Sequence, residues 1–294
     1  AHVVACMAEH DVREQVIGVS FDGTGYGTDG TIWGGEILLC DTCDFTRLGH
    51  IVPFAQAGGD LSSREGWRVA TAMLRDMCDT REEALSLAEE LGLANKAQVS
   101  TVLAMIERNV NTVASTSAGR LFDAVSAVLG VRQASTYEGE AATQLQFAAE
   151  RGRDAWEASP LRQAFIGTLA DKSATQLASS SGAEPFVLPT NELFAWIVAQ
   201  RRAGISSELL AAAFHEGLAE LVRMSCERSR EISGVNTVAL TGGCYQNLLL
   251  LELSAARLRG SGFEVLIHRL VPPNDGGIAL GQAWVAASRL ERGL

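Results

Sequence analysis

The sequence lacks an apolar run of about 18 or more residues, the minimum length for a membrane-spanning helix. Its first residues also lack the basic region and apolar core of a secretory signal peptide. Its six cysteines are scattered over 294 residues and do not form the dense pattern of a disulfide-rich secreted domain. These absences predict a cytoplasmic protein with reduced thiols and no membrane partner.

Aromatic residues and positive charge are also scarce. Aromatics make up 6% of the chain, whereas small residues are plentiful, which favours helices packed closely on a sheet over a β-sandwich. The formal net charge is −11, and a surface this acidic repels phosphate backbones, so direct nucleic-acid binding is not expected. A nucleotide ligand remains possible, because a few backbone N–H groups can bind a phosphate whatever the net charge.

The hydrophobic pattern predicts a β-hairpin near the start of the chain and a βαβα unit at its end. Residues 15–41 give two strands joined by a turn rich in Gly and Asp at 22–30. Residues 236–293 give a strand, a helix over 244–260, a strand over 263–271 and a closing helix, which predicts a parallel sheet. A further strand is expected at about 46–53, the middle of the chain is mostly helical in pattern, and the Ser-rich stretch 171–186 is predicted to be a mobile loop.

Two glycine-rich turns are candidate ligand sites. In FDGTGYGTDG, Asp22 ends a strand and Gly23, Gly25 and Gly27 follow it, which suits the close approach of a phosphate or a metal-bound oxyanion. In LTGGCYQN, Gly242 and Gly243 join a buried strand to a helix, which suits a nucleotide lying against the sheet edge. Each turn could equally be structural, the first a long hairpin loop and the second a tight strand-to-helix connection.

Single polar residues are ambiguous by themselves. Asp275 in PPNDGG could ligate a metal or simply cap the helix that follows. Arg120, Asp123 and Glu138 could hold ribose hydroxyls or form surface ion pairs. The pattern alone assigns no chemistry to any of the histidines. One CxxC, Cys40 to Cys43, is at most half a zinc site and is interpreted as incidental.

The order of these features resembles the ASKHA superfold of sugar kinases, actin and Hsp70 chaperones. In detail it resembles the universal tRNA threonylcarbamoyl-transferase family, and most closely the last module of its HypF relatives. The resemblance rests on VIGVSFDGTGYGTDGTIWGGE, STSAGRLFDAVSAVLG, LTGGCYQN and PPNDGGIALGQA. It implies a two-lobed α/β fold with an active-site cleft between the lobes. The first lobe would be 1–110, a β-hairpin plus a helical insertion, and the second would be 111–294.

The resemblance also implies an activity. HypF-like proteins make carbamoyl-adenylate from carbamoyl phosphate and ATP in an upstream domain. A module of this kind then passes the carbamoyl group to the C-terminal Cys thiolate of a partner, HypE, in [NiFe]-hydrogenase maturation. The nucleophile belongs to the partner, so no cysteine of this chain is expected to be catalytic.

The resemblance assigns residues to that chemistry. One divalent ion, iron or zinc, would be held by His2, Asp22 and Asp275, and the two aspartates would be catalytic. Glycine N–H groups would stabilise charge developing on the departing AMP. The residues expected to bind the nucleotide are Gly23, Gly25, Gly27, Arg120, Asp123, Glu138, Gly242, Gly243 and Asn247.

The sequence departs from the family pattern in three respects. The first metal-binding His is expected four residues ahead of His2, which is outside this sequence, so weaker metal binding is expected. Leu248 stands where the family commonly has Arg. The upstream HypF domains are absent, so this chain alone is not expected to make carbamoyl-adenylate. Two alternatives remain open: carbamoyl transfer to a small-molecule hydroxyl or threonylcarbamoylation of tRNA, and an inactive fragment that keeps the fold.

Overall fold

The structure is a computed structural model that describes residues 1–178 and 184–293. The described residues form eight β-strands and twelve α-helices. The strands are β1 (Val16–Tyr26), β2 (Ile32–Cys40), β3 (Phe45–Ile51), β4 (Phe54–Ala57), β5 (Thr112–Ser115), β6 (Phe186–Leu188), β7 (Thr237–Thr241) and β8 (Glu264–Ile267). The helices are α1 (His2–Glu9), α2 (Leu61–Arg64), α3 (Gly66–Met77), α4 (Arg81–Glu90), α5 (Lys96–Glu107), α6 (Ala118–Val128), α7 (Glu140–Glu157), α8 (Pro160–Ala178), α9 (Thr190–Arg202), α10 (Ser207–Ser233), α11 (Leu248–Gly260) and α12 (Ile278–Arg292).

All of the strands belong to one mixed sheet. Its order is β4-β5-β2-β1-β7-β8, and β3 pairs with both β2 and β6. The predicted hairpin is confirmed, since β1 and β2 are antiparallel from Val16↔Cys40 to Tyr26↔Ile32. The predicted parallel unit is also confirmed, since β7 runs parallel to both β1 and β8. Because β1 and β7 are parallel neighbours, the residues that follow them meet at the same edge of the sheet.

The sheet also joins the two predicted lobes. β5 lies after residue 110 and pairs with β4, which lies before it. β1, which lies before residue 110, also pairs with β7, which lies after it. The division into 1–110 and 111–294 therefore stays a prediction, and strands from both sides of it share one set of hydrogen bonds.

Helices cover both faces of the sheet. α1 and α12 lie on one face, where Val3, Met7 and Trp284 pack against Val16 and Leu266. The larger core lies on the other face, where Phe122 of α6 packs edge-on against Phe214 of α10. No helix in the described ranges combines the length and the apolar character that crossing a membrane requires.

The predicted mobile loop over 171–186 is wrong for most of its length. α8 continues to Ala178 because Phe165, Leu169, Ser173 and Leu177 recur every four residues and are buried on one side of the helix. The end of the same stretch begins β6 at Phe186. Residues 179–183 lie outside the described residues.

Two elements of the C-terminal unit are shorter than predicted. α11 begins at Leu248 rather than 244, because the Asn247 side chain accepts a hydrogen bond from the backbone N–H of Leu250 and caps the helix. The strand predicted over 263–271 ends at Ile267. Beyond it, the backbone N–H groups of Arg269 and Leu270 donate to the Glu9 carboxylate instead of to a neighbouring strand.

Three strands were not predicted from the sequence. β4, β5 and β6 are only three or four residues long, and each is held by its pairing within the sheet. Segments this short carry too few residues to show alternation, so their assignment depends on tertiary pairing.

Candidate metal and nucleotide site

Three residues that are remote in sequence meet at the edge of the sheet where β1 and β7 end. The Nε2 atom of His2 lies 2.8 Å from the Oδ2 atom of Asp22 and 3.8 Å from the Oδ1 atom of Asp275. One ligand atom from each residue lies within 4.8 Å of the other two. The structure therefore brings together the three residues that the sequence predicted as a metal site.

Asp22 is fixed by the parallel pairing of β1 and β7. Its Oδ1 atom accepts hydrogen bonds from the backbone N–H of Gly23 at 2.7 Å and of Gly243 at 3.2 Å. Gly242 has a φ of +95°, and a Cβ atom there would lie 2.2 Å from the carbonyl oxygen of Phe21. Only glycine can adopt this backbone this close to β1.

Asp275 is brought to the same edge by the loop that follows β8. The backbone N–H of Gly242 donates to the carbonyl oxygen of Pro273 at 3.0 Å, which ties the loop to the turn after β7. Asp275 then begins a 3₁₀ turn that leads into α12. The predicted helix cap is one residue earlier, because the Asn274 side chain accepts a hydrogen bond from the backbone N–H of Gly276. Asp275 is left with an exposed carboxylate that faces His2.

His2 is held by contacts of the backbone around it. The Thr241 hydroxyl at the end of β7 donates to the carbonyl oxygen of His2 at 3.1 Å. α12 crosses the start of α1 at Gly281, where a Cβ atom would lie 1.9 Å from the carbonyl oxygen of Ala1. The side chain of His2 is thus positioned by β7 below it and α12 beside it.

The donor set fits a divalent metal ion. Burial raises the pKa of Asp22, but the hydrogen bonds from His2, Gly23 and Gly243 outweigh it and hold this pKa below its usual value. Asp22 is therefore an anion whose Oδ2 atom is directed at His2. One imidazole nitrogen and two carboxylate oxygens suit iron or zinc, both of which accept mixed nitrogen and oxygen ligands.

A cavity of about 970 Å³ opens beside this cluster. Residues of α1, β1, β2, α12 and the turn before α12 line it, among them His2, Asp22 and Asp275. Its volume is in the range of small-molecule binding sites.

Glu36 lines the same cavity and was not predicted as a site residue. Its carboxylate is buried, and it accepts hydrogen bonds from the backbone N–H groups of Gly34 and Gly35 and from the Thr116 hydroxyl. Its other oxygen lies 2.6 Å from the Nε atom of Arg47. The available signal was the acidic residue directly after Gly-Gly in an otherwise apolar strand.

The glycine N–H groups are mostly engaged within the fold. Those of Gly23 and Gly243 donate to Asp22, that of Gly242 to Pro273, and that of Gly27 to Thr31 at 3.0 Å. These four N–H groups are thus already paired within the fold, and their stabilisation of the departing AMP stays a prediction. Gly25 is paired with Trp33 in the hairpin.

Arg120 and Asp123 form a buried ion pair one helical turn apart on α6, with 2.7 Å between Nε and Oδ2. Burial raises the pKa of Asp123, and the neighbouring Arg120 only partly opposes this. Ser117 caps α6, and its hydroxyl donates to the carbonyl oxygen of Gly23 at 2.6 Å. The start of α6 thus lies next to the Asp22 turn, and nucleotide contacts of Arg120 and Asp123 stay predictions.

The other two predicted nucleotide ligands are placed differently. The side-chain amide of Asn247 caps α11 and also donates to Nε2 of the buried His215 at 2.9 Å. Glu138 is exposed in the turn before α7 and makes no hydrogen bond or ion pair with any described residue. Nucleotide contacts of Asn247 and Glu138 stay predictions.

The cysteines, all of which lie in the described ranges, are free. Cys40 and Cys43 are buried, and burial raises the pKa of Cys40 to about 12. Burial also raises the pKa of Cys244, next to the Gly-Gly turn, well above its usual value. A thiol with a raised pKa is a poor nucleophile, so neither Cys40 nor Cys244 is set up to act as one.

Comparison with known proteins shows which family this chain resembles. The family model described as "Carbamoyltransferase, Kae1-like Domain, second subdomain" of HypF matches residues 18–282. A carbamoyltransferase HypF homolog of Cupriavidus necator is 37% identical over 289 residues, which are 98% of this chain and 69% of that protein. The carbamoyltransferase HypF of Synechocystis sp. is 32% identical over 96% of this chain and 35% of its own length.

The chain belongs to the HypF carbamoyltransferase family. Its mixed α/β fold is that of the HypF Kae1-like C-terminal domain. The crystal structure of full-length HypF in a phosphate- and nucleotide-bound form superposes with a TM-score of 0.82 at 32% identity, covering 99% of this chain and 35% of that one. HypF of T. kodakarensis superposes with a TM-score of 0.80 at 28% identity. The chain thus spans about a third of these full-length HypF proteins and about two thirds of the C. necator homolog.

Proposed function

We propose that this HypF-family chain transfers a carbamoyl group from carbamoyl-adenylate to the C-terminal cysteine thiolate of a HypE-like partner, in [NiFe]-hydrogenase maturation. The observation that carries the proposal is the meeting of His2, Asp22 and Asp275 within 4.8 Å beside the Gly242–Gly243 turn. The nucleotide-bound state of the full-length relative supports a nucleotide substrate in this fold. In this proposal, the 970 Å³ cavity is the cleft between two ASKHA-type lobes.

The chain's own residues bind and orient the reactants. His2, Asp22 and Asp275 would hold the divalent iron or zinc ion, which supplies Lewis acidity to a carbamoyl or phosphate oxygen when it is bound. The hydrogen bonds from Gly23 and Gly243 to Oδ1 of Asp22 keep its Oδ2 atom directed at the cluster. Glycines at the turn let the nucleotide approach the backbone closely, because no Cβ obstructs it.

The nucleophile comes from the partner. Its thiolate attacks the carbamoyl carbon, a C–S bond forms, and the bond from that carbon to the phosphate oxygen breaks. The electron pair of the broken bond leaves with AMP, so the products are a thiocarbamate on the partner and AMP. In this proposal, Asp22 and Asp275 contribute to the step as ligands that would hold the metal ion.

The test is a transfer assay with a HypE-like protein as acceptor. Carbamoyl-adenylate is generated in situ from ATP and carbamoyl phosphate by a separate adenylate-forming domain, and the partner's C-terminal peptide is followed by mass spectrometry. We expect Asp275→Ala to lose transfer and the one ion held by His2, Asp22 and Asp275, without a change in the thermal unfolding of the metal-free protein. Asp154→Ala, which removes an exposed carboxylate from α7, serves as the matched control and should behave as the wild type.

The acceptor distinguishes the alternatives. Transfer by the wild type to a small-molecule hydroxyl, or threonylcarbamoylation of tRNA, in place of the partner thiol would refute the HypE step. The net charge of −11 makes tRNA the weaker alternative. Absence of transfer to every acceptor, with metal retained, would identify the chain as an inactive fragment, and undiminished transfer by Asp275→Ala would remove Asp275 from the site.

A further inference from the structure

A second cluster of metal-binding side chains lies between α1 and the segment that follows β8. Cys6 and Glu9 are three residues apart and therefore share one face of α1. His268 comes directly after β8. One sulfur, one carboxylate oxygen and one imidazole nitrogen from these residues lie within 4.8 Å of one another. None of the three belongs to the cluster around Asp22.

The cluster is closed to solvent and contains unpaired polar atoms. The Cys6 residue is 0% exposed, and the side chains of Glu9 and His268 are 2% and 4% exposed. Oε1 of Glu9 and Nδ1 of His268 lie 2.8 Å apart, yet within the described part of the chain neither atom has a hydrogen bond of adequate geometry. A buried polar atom without a partner is destabilising by about 1–3 kcal/mol, so these two atoms require either a proton or a cation between them.

The hydrogen bonds around His268 show where its lone pair lies. The Thr241 hydroxyl has one proton and donates it to the carbonyl oxygen of His2, which can only accept. The same hydroxyl oxygen lies 2.8 Å from Nε2 of His268, so Nε2 must carry a proton and donate it. In the neutral imidazole, the Nδ1 lone pair then faces the Glu9 carboxylate. Metal-bound histidines show this same pattern, in which the second ring nitrogen donates to a neighbouring group.

A proton on Nδ1 of His268 would also relieve the repulsion between its lone pair and the Glu9 carboxylate, because the two side chains would then form an ion pair. Such a pair would not require a thiol beside it. Cys6 adds the sulfur donor that separates a metal site from an ion pair, and the other oxygen of Glu9 is already held by the backbone N–H groups of Arg269 and Leu270. This second shell fixes the carboxylate in place, as in known metal sites.

We propose that Cys6, Glu9 and His268 bind a second metal ion, with zinc as the metal that best suits one sulfur, one oxygen and one nitrogen donor. The thiol loses its proton to solvent when it ligates the ion. The ion ties α1, which begins at His2, to the segment that leads to Asp275, so its role is structural. This inference does not depend on the proposed carbamoyl transfer.

Cobalt substitution tests the site independently of activity. The chain is stripped of metal and loaded with Co²⁺, and the sulfur-to-cobalt charge-transfer absorption is recorded. We expect the wild type and Asp22→Asn to show this band, because the His2 cluster contains no sulfur. Cys6→Ala should lose it, whereas Cys226→Ala should keep it, because Cys226 is equally buried on α10 outside the cluster.

Metal content gives the second measurement. After equilibrium dialysis against zinc, Cys6→Ala and His268→Gln should each hold one ion fewer per chain than the wild type, and zinc should raise the unfolding temperature of the wild type more than theirs. His268→Gln leaves Cys6 in place, so it remains informative if Cys6→Ala is unstable. A wild type without the sulfur band, or a Cys6→Ala variant with unchanged zinc content, would establish that Glu9 and His268 form only an ion pair.

Discussion

Asp22 and Gly243 are joined by a hydrogen bond of 3.2 Å from the glycine N–H to the carboxylate Oδ1, across nearly the whole chain. The other oxygen of the same carboxylate lies 2.8 Å from Nε2 of His2. One side chain thus connects the hairpin, the predicted nucleotide turn and the first helix. Each part of the site constrains the others through Asp22.

Asp22→Asn separates the charge of this side chain from its shape. The amide oxygen can still accept from Gly23 and Gly243, so we expect the turn and the unfolding temperature to change little. The loss of an anionic ligand should lower metal affinity at the His2 cluster by at least about 100-fold. Isothermal titration with Zn²⁺ measures this, with Cys6 replaced by Ala in both proteins so that only one cluster contributes. An affinity within a few-fold of the parent would exclude Asp22 as a ligand.

Gly281→Ala tests whether α12 positions His2. The added Cβ would lie 1.9 Å from the carbonyl oxygen of Ala1, so the start of α1 must move. We expect metal affinity at the His2 cluster to fall by about 10-fold or more, as for other groups that orient a ligand. The same titration measures it.

Gly167→Ala is the matched control for this substitution. Gly167 lies within α8 with open space around its Cα, so alanine should raise stability by up to about 1 kcal/mol and leave metal binding unchanged. If both alanine variants bind metal as tightly as the wild type, the close packing of α12 on α1 has no part in placing His2.

Asp22 and Asp275 were candidate ligands because each lies in a recognisable turn at the end of an element, whereas His2 was assigned only by the family resemblance. Asp22 ends a β-branched strand, and Asp275 follows Pro-Pro at a helix start. The pattern predicted a hairpin before Asp22 and a separate parallel unit before Asp275, so the meeting of the two residues at one edge followed only from the family resemblance. The motifs that carry the family resemblance contain both residues.

The Cys6 cluster and Glu36 could not be predicted in the same way. Cys6 and Glu9 have no meaning as ligands until His268, from the far end of the chain, packs against α1. Glu36 looks like an ordinary acidic residue of a strand, and its burial depends on Arg47 and Thr116. The hydrophobic pattern of the sequence indicates which face of a helix or strand is apolar. It does not indicate which polar side chains become enclosed when two elements pack together.

His215 makes the stability of the chain depend on pH. Burial lowers its pKa to about 4, whereas the unfolded chain should titrate near the ordinary value of about 6.5. As the pH falls below 6.5, the unfolded state binds this proton first, so the free energy of unfolding decreases until the pH reaches about 4. The total effect is at most about 3.5 kcal/mol, from about 1.4 kcal/mol for each pKa unit.

His215→Gln should remove this contribution while keeping an acceptor for Asn247. We expect the difference in the free energy of unfolding between wild type and variant to shift in favour of the variant as the pH falls from 6.5 to 4. Urea denaturation across this range measures it, and comparing the two proteins cancels the titration of the carboxylates they share. Parallel curves for the two proteins would mean that His215 is not protonated on unfolding in this range.

Glu36→Ala should destabilise the fold far more than the loss of an exposed carboxylate does. Arg47, whose side chain is 15% exposed, would keep only the longer ion pair with Asp29 at 3.4 Å, and the N–H groups of Gly34 and Gly35 would lose an acceptor. Breaking a buried pair of this kind costs about 3–5 kcal/mol. Glu291→Ala is the comparison, because Glu291 faces Arg13 with both side chains more than half exposed, and its loss should change stability by less than about 1 kcal/mol. Urea denaturation of the two variants side by side measures both losses of stability. Equal, small losses would show that solvent reaches Glu36 and that β2 does not depend on its carboxylate.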